Sequence, residues 1–231
     1  MRYLVTGANR GIGLELTRQL LARGDRVFAA CRQPETATAL QELAAEDGTR
    51  LKVVQLDVSD PASIAASYEV VAQQTDSLDV LINNAGVGAG NESLGTVTLE
   101  TLLYTYKVNA AGPILVAQQY LDLLKAGEGK KIVNISTGIS SIGDRDRGGM
   151  YSYTGSKAAL NMHNKNLSLD VAPFGITAIV LDPGWVKTDM GGPNAWITPE
   201  ESVSGILKVA DGLTIEKSGK FFHYTGSEIP W

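Results

Sequence analysis

The feature that most constrains this chain is an alternation that runs its whole length: a short β-branched run, a turn, then a longer stretch with helical spacing. Tyr3-Leu4-Val5 predicts a strand that breaks at Thr6-Gly7, and Ile12, Leu16, Leu20 and Leu21 fall on one face of a helix over about 11–23. Val27-Ala30, Leu51-Leu56, Val80-Ile82, Lys131-Ile135, Thr177-Leu181 and Lys220-His223 predict further strands. Between them lie helical patterns at about 34–45, from Ser59-Asp60-Pro61 onward, at 99–125, 153–171 and 199–209. Pro113 removes a backbone donor inside the long 99–125 pattern, so a kink is expected there. Apolar strands alternating with helices predict an α/β fold, with about seven parallel strands covered by helices on both faces. Right-handed crossovers make the doubly wound, Rossmann-like sheet the simplest topology. With no linker or low-complexity tract in view, residues 1–231 are expected to form one domain, with a nucleotide half to about 110 and a substrate half beyond it.

Composition closes off several function classes. A chain of 231 residues can bury a core without staples, and its one cysteine, Cys31, rules out an internal disulfide. Two histidines, His163 and His223, make a zinc site implausible, so no metal is expected. A net charge of −5 argues against nucleic acid as partner. No apolar run is long enough to span a membrane and no secretory leader opens the chain, so a cytoplasmic protein is expected.

The first strand runs into Thr6-Gly7-Ala8-Asn9-Arg10-Gly11-Ile12-Gly13. A dinucleotide pyrophosphate requires backbone amides at a helix N-terminus and no side chain in its path, which this glycine spacing supplies. Gly7 would serve the tight turn, Gly11 the close approach of phosphate, and Gly13 the packing of helix on strand. The tip of the second strand reads Ala30-Cys31-Arg32, with no acid to accept a ribose 2′-hydroxyl. Arg10 and Arg32 together offer guanidinium forks to a 2′-phosphate, which points to NADP(H) over NAD(H).

Tyr153 and Lys157 are four residues apart on a predicted helix and share a face. A free phenol titrates near 10, whereas a cation about 4 Å away is worth about 4 kcal/mol at an effective dielectric near 20. That would lower the phenol pKa by up to roughly 3 units, so Lys157, with the positive charge of an oxidised nicotinamide, could make Tyr153 a workable acid or base.

These motifs, with Asn83-Asn84-Ala85-Gly86, Asn109, a hydroxyl after the fifth strand and Pro183-Gly184-Trp185-Val186-Lys187-Thr188, stand in the order of the short-chain dehydrogenases/reductases, which the chain resembles over nearly its full length. Within that family it looks most like the Sniffer-type carbonyl reductases and the bacterial C-factor proteins, through Gly148-Gly149-Met150-Tyr151, the segment from Pro183 to Met190 and the ending Gly226-Ser227-Glu228-Ile229-Pro230-Trp231. The resemblance implies that Tyr153 is the catalytic acid for carbonyl reduction, that Lys157 holds the nicotinamide ribose and that Asn109 helps place a water. It also implies that Asp57 and Val58 contact adenine, that Asn84, Ala85 and Gly86 line the adenosine, and that Pro183, Gly184, Val186 and Thr188 border the nicotinamide. Asp57 could equally be a strand-end cap, and Asn83 and Asn84 could serve turn chemistry.

The family's serine pair departs here to Ser136-Thr137, which places Thr137 at the catalytic hydroxyl, with Ser136 as the alternative if the strand bulges. His163 reads as a surface or oligomer-facing residue, and His223 as structural, with no acidic partner evident. Asp144-Arg145-Asp146-Arg147 reads as a loop of local ion pairs, and Trp185 and Trp196 either wall the substrate mouth or pack in the core. The short stretch from Met190 to Pro199 predicts an open pocket.

The expected activity is NADPH-dependent reduction of a ketone or aldehyde, with a small-molecule substrate and a homodimer or homotetramer as the assembly. The alternative is a C-factor-like nucleotide-sensing or signalling protein. A sugar-nucleotide epimerase would share Tyr-xxx-Lys but needs an appended domain, for which little chain remains after Thr188.

Overall fold

In a computed structural model, which describes residues 1–88, 90 and 92–231, the strands are β1 Arg2–Thr6, β2 Arg26–Cys31, β3 Leu51–Gln55, β4 Val80–Asn83, β5 Lys131–Ile135, β6 Thr177–Asp182 and β7 Phe221–His223. The helices are α1 Gly11–Ala22, α2 Thr38–Glu46, α3 Pro61–Ala72, α4 Leu99–Tyr106, α5 Gly112–Gln119, α6 Leu121–Ala126, α7 Tyr151–Val171 and α8 Pro199–Asp211. The seven strands form one sheet in the order β3-β2-β1-β4-β5-β6-β7, and every pairing is parallel.

Successive side chains of a strand point to opposite faces, and here both faces are buried. Tyr3 and Val5 of β1 pack with Leu16 and Leu20 of α1 and with Val203 and Ile206 of α8. Leu4 between them joins Phe28, Leu81, Ile64 of α3 and Val116 of α5 on the other face. This double burial explains why the strands read as apolar runs rather than as an alternation.

The parallel direction gathers all seven strand C-termini at one edge of the sheet. β1 lies between β2 and β4, so the chain's path reverses there, and a crevice opens between the end of β1 and the end of β4. Asp60 caps α3 by accepting a hydrogen bond from the Ala62 amide at 3.0 Å, as its place before Pro61 predicts.

The long helical pattern breaks differently from expectation. Lys107–Ala111 forms a π-helical turn between α4 and α5, and Pro113 sits in the first turn of α5. At a helix start proline forfeits no hydrogen bond, so the widened turn, not the proline, interrupts the helix. The predicted 34–45 helix divides likewise into a 3-10 turn at Pro34–Thr36 and α2. Among the described residues no helix is long and apolar enough to cross a membrane.

Candidate active site

The glycine-rich turn is built against the end of β4. Gly7 has φ +65°, and a β carbon there would meet the Ala85 Cα at 2.8 Å. A β carbon on Gly13 would overlap the Gly7 carbonyl oxygen and stand 2.6 Å from Asn84 Nδ2. Thr6 Oγ1 accepts from the Asn84 and Ala85 amides, both at 3.0 Å, while Asn84 Nδ2 donates to the Thr6 and Gly7 carbonyls at 2.9 and 3.1 Å. Asn84 therefore holds the turn with its amide group, so the turn reading of that residue describes its bonds. The first helical turn of α1, with Arg10 at its N-cap and Ile12 inside it, faces the crevice with no side-chain cap, leaving amides for an anion. Thr188 closes on this turn from the far side, its Cγ2 3.2 Å from where a Gly11 β carbon would be.

At the tips of β2 and β3 lies a cleft of about 800 Å³ lined by Arg32, Gln33, Gln55, Asp57, Asp60 and Ser63, among others. Arg32 donates to the Tyr104 hydroxyl at 3.3 Å, and exposed Arg10 reaches across to Asp189 at 3.0 Å, so each arginine has its own partner. Asp57 Oδ1 accepts from the Ser59 amide and hydroxyl at 2.9 and 2.7 Å. Burial works to raise its pKa, but these bonds, with the charges of Arg32 and Lys107, leave it below the usual carboxylate value. Val58 next to it is buried against Gly112.

The second half of the site stands where α7 crosses the ends of β5 and β6. Burial of α7 is unusually polar: Ser156, Lys157, Asn161 and Asn164 all face inward. Asn83, Asn134 and Asn164 form a buried chain, at 2.8 and 2.9 Å, that ties β4, β5 and α7 together. Buried amides are costly unless paired, so this chain specifies the seat of α7. Ser136 Oγ donates to Asn161 Oδ1 at 2.8 Å and is 2% exposed, whereas the Thr137 hydroxyl lies on the side of the Tyr153 phenol and favours its ionised form. Strand alternation sends the two neighbouring hydroxyls to different places, and Thr137 is the one that meets the tyrosine.

Lys157 is buried, and its Nζ donates to the Ile135 carbonyl at 2.8 Å. A β carbon on Gly86 would lie 3.4 Å from Asn109 Oδ1 and 3.5 Å from Lys157 Nζ, so the loop after β4, the π-turn and the lysine converge. Asn109 is wholly buried. Its Oδ1 accepts from the Val87 amide at 2.8 Å, and its Nδ2 donates to the Val87 carbonyl and to Ser156 Oγ at 2.9 and 3.0 Å.

The protein's own groups set the starting electrostatics of this pair. Desolvation lowers the Lys157 pKa to about 8. The Tyr153 phenol is pushed up to about 12, by desolvation first and then by the Asp182 carboxylate, with the Thr137 hydroxyl acting the other way. Without a nicotinamide charge beside it, the phenol therefore stays protonated at neutral pH. The Lys157 ammonium is spent on a main-chain carbonyl, and dehydrating the phenolate outweighs what attraction remains.

Two acidic residues were missed. Glu92 reaches the start of α7 from the loop after β4, its carboxylate accepting from the Ser152 amide and hydroxyl at 2.7 and 2.6 Å. Met150, at the N-cap, has no side-chain cap, so Glu92 satisfies an amide that would otherwise lack a partner. No local capping signal marks it, since the bond spans 60 positions. Asp182, at the end of β6, faces His223, whose Nε2 lies 3.9 Å from Asp182 Oδ2. His223 therefore does have an acidic partner; strands β6 and β7 are neighbours only in space. The signal was a charge at the end of an apolar strand, directly before Pro183-Gly184.

Pro183 accepts from Ser202 of α8 at 2.6 Å, and Val186 pairs with Ile197 to close the short loop. Trp185 and Trp196 stack edge to face at 5.4 Å and are 45% and 80% exposed, so they do not pack in the core. His163 pairs with the Tyr106 hydroxyl at 3.1 Å. Arg147 and Asp146 form an exposed pair at 3.6 Å.

The family model for short chain dehydrogenases matches residues 2–195. The chain belongs to this family. It is 43% identical over 157 residues to the C-signal protein of Myxococcus xanthus, a match covering 68% of this chain and 95% of that one. Among solved structures, an NADPH-bound carbonyl reductase from chicken fatty liver superposes with a TM-score of 0.94 at 40% identity, covering 100% of this chain and 98% of that one. The carbonyl reductase Sniffer of D. melanogaster does so with a TM-score of 0.95 at 34% identity, covering 100% and 99%. This short-chain dehydrogenase thus shares its whole fold with carbonyl reductases, one of them holding NADPH.

Proposed function

We propose that the protein is an NADP(H)-dependent carbonyl reductase that converts a ketone or aldehyde to an alcohol. The observation that carries this reading is the meeting of the Thr137 hydroxyl and the Tyr153 phenol at the strand edge that also bears the glycine turn.

The residues present fit a dinucleotide. A β carbon at Gly7 or Gly13 would fill the turn, the N-terminal amides of α1 are free of side-chain caps, and Arg32 lines the cleft where a 2′-phosphate would seat. When bound, NADPH supplies hydride to the carbonyl carbon. Gly7, Asn9, Arg10, Gly11, Ile12 and Gly13 would hold its pyrophosphate, and Val186 and Thr188 its nicotinamide end. Asp57 and Val58 would border the adenine, with Ala85 and Gly86 beside the adenosine.

Thr137 would donate a hydrogen bond to the carbonyl oxygen, polarising it and fixing its place. Tyr153, fully protonated at neutral pH with its pKa raised to about 12, would give its proton to the forming alkoxide. Lys157 would orient the ribose and, with Asn109 beside it, lead a replacement proton back to the phenol. No membrane helix is present among the described residues, in keeping with action in the cytoplasm.

A panel of aldehydes and ketones, with loss of NADPH absorbance as the signal, tests this reading. Turnover is expected with some of them, and Tyr153→Phe should lower it by about 10² or more while leaving the NADPH Kd within about twofold. Wild-type turnover in Tyr153→Phe would overturn the assignment. The likeness to the C-signal protein favours a second reading, a signalling protein that binds nucleotide without relevant chemistry. NADPH binding with no turnover across the panel would support it.

A further inference from the structure

Asp182 is a largely covered acidic group beside the proposed chemistry, and nothing in that proposal uses it. Its side chain is 13% exposed. Oδ1 accepts from the Gly184 amide at 3.1 Å, at the start of the Pro183-Gly184 loop. Oδ2 faces Gly138, the residue directly after Thr137, so closely that a β carbon on Gly138 would stand 2.9 Å from it. The Gly138 amide also favours the charged carboxylate.

One carboxylate thus joins two loops from neighbouring strands, the hydroxyl turn after β5 and the nicotinamide-side loop after β6. Three titratable side chains face it: Tyr153 from α7, His223 from β7 and Tyr224 just beyond. His223 is held in place by a 2.8 Å bond between its Nδ1 and Thr225 Oγ1, which leaves Nε2 toward Asp182. Tyr224 is engaged with Glu201 at 3.4 Å.

We propose that Asp182 is a positioning residue of this site: its carboxylate, faced by His223, holds the Thr137–Gly138 turn against Tyr153 and sets a negative charge beside the phenol. The inference rests on the reading of Tyr153 as the acid of the reaction. Its consequence is directional. A negative neighbour disfavours the phenolate, and carbonyl reduction needs the protonated phenol whereas alcohol oxidation needs the phenolate. Burial is the larger effect and raises the Asp182 pKa, while the Gly184 and Gly138 amides and a protonated His223 act the other way.

Asp182→Asn tests the charge and Gly138→Ala tests the turn, since the added methyl presses the turn and the carboxylate apart while the charge is kept. In Asp182→Asn, kcat for reduction is expected to fall about tenfold with the NADPH Kd within twofold, and the alkaline limb of the pH profile to move down by about one unit. Gly138→Ala should lower kcat by a similar factor with the limb unmoved. The double variant should be no worse than about the poorer single one.

Tyrosinate absorbance, taken as wild type minus Tyr153→Phe and repeated in the Asp182→Asn background, reads the same shift without turnover. A superimposable tyrosinate titration in the Asp182→Asn background overturns the charge role, and an unchanged kcat in both single variants overturns the positioning role. Full activity in Tyr153→Phe would instead defeat the acid assignment, and the absorbance titration would still decide whether Asp182 acts on the phenol.

Discussion

Gly13 lies so near Gly7 that a methyl group on it would overlap the Gly7 carbonyl oxygen and press on the Asn84 amide group. Relief would require moving either backbone or the Asn84 side chain, which holds the turn through its bonds to Thr6 and Gly7. Gly13→Ala is expected to cost about 3 kcal/mol of stability and to lower Tm by roughly 10 °C. NADPH affinity should fall at least about tenfold, since the amides lose their alignment. Thermal unfolding and fluorescence titration measure both.

The two hydroxyls after β5 should separate cleanly by substitution. Thr137→Ser keeps the donor and is expected to stay within about threefold of wild-type kcat, whereas Thr137→Val should lose about 10² in kcat. Ser136→Ala leaves Asn161 short of a partner and should cost about 1–2 kcal/mol of stability with little effect on kcat. Steady-state kinetics beside thermal melts distinguishes the two patterns.

Arg32 lines the cleft at the tips of β2 and β3 with its guanidinium bonded to a tyrosine hydroxyl, a partner that a phosphate would outcompete. Arg32→Ala is expected to raise the NADPH Kd by roughly 30-fold, equivalent to about 2 kcal/mol, and to leave the NADH Kd within about threefold. The ratio of the two constants by isothermal titration is the deciding quantity.

Lys157 gives a pH-dependent stability with a definite sign. Burial holds its pKa near 8 in the folded protein, against about 10.4 when unfolded. Below 8 both states bind the proton, and the fold bears the cost of a dehydrated ammonium. Between 8 and about 10.4 the unfolded chain binds more protons, so this group's contribution to stability rises with pH. Lys157→Met should therefore be more stable than wild type near neutrality, by at most about 3 kcal/mol less the lost bond to Ile135. That advantage should shrink as pH rises toward 10, and turnover should be lost throughout. Urea unfolding across this range is the measurement.

Much of the site was legible because its signals are local. The turn at Gly7–Gly13 must follow a strand and open a helix, and four-residue spacing alone places Tyr153 and Lys157 on one face of α7. The resemblance placed Thr137, and strand alternation accounts for its parting from Ser136. The helix break at Lys107–Ala111 was misplaced at Pro113, because proline is a strong local signal and a π-turn has none. The surroundings of Lys157 were hidden for a related reason. Spacing shows which residues are neighbours on a helix but not which carbonyl an ammonium will choose, nor how dry the phenol becomes.

The sequence by itself determined the order of elements, the doubly wound class and the residues of the two motifs, since periodicity, turn chemistry and helical spacing act over a few residues at a time. Tertiary structure decided the rest: Glu92 capping a helix that starts far along the chain, Asp182 joining two loops and facing His223, and the asparagine chain seating α7. The reason lies in the parallel sheet, which brings strand ends from distant parts of the chain to one edge. The partners that meet there share no local pattern to mark them beforehand.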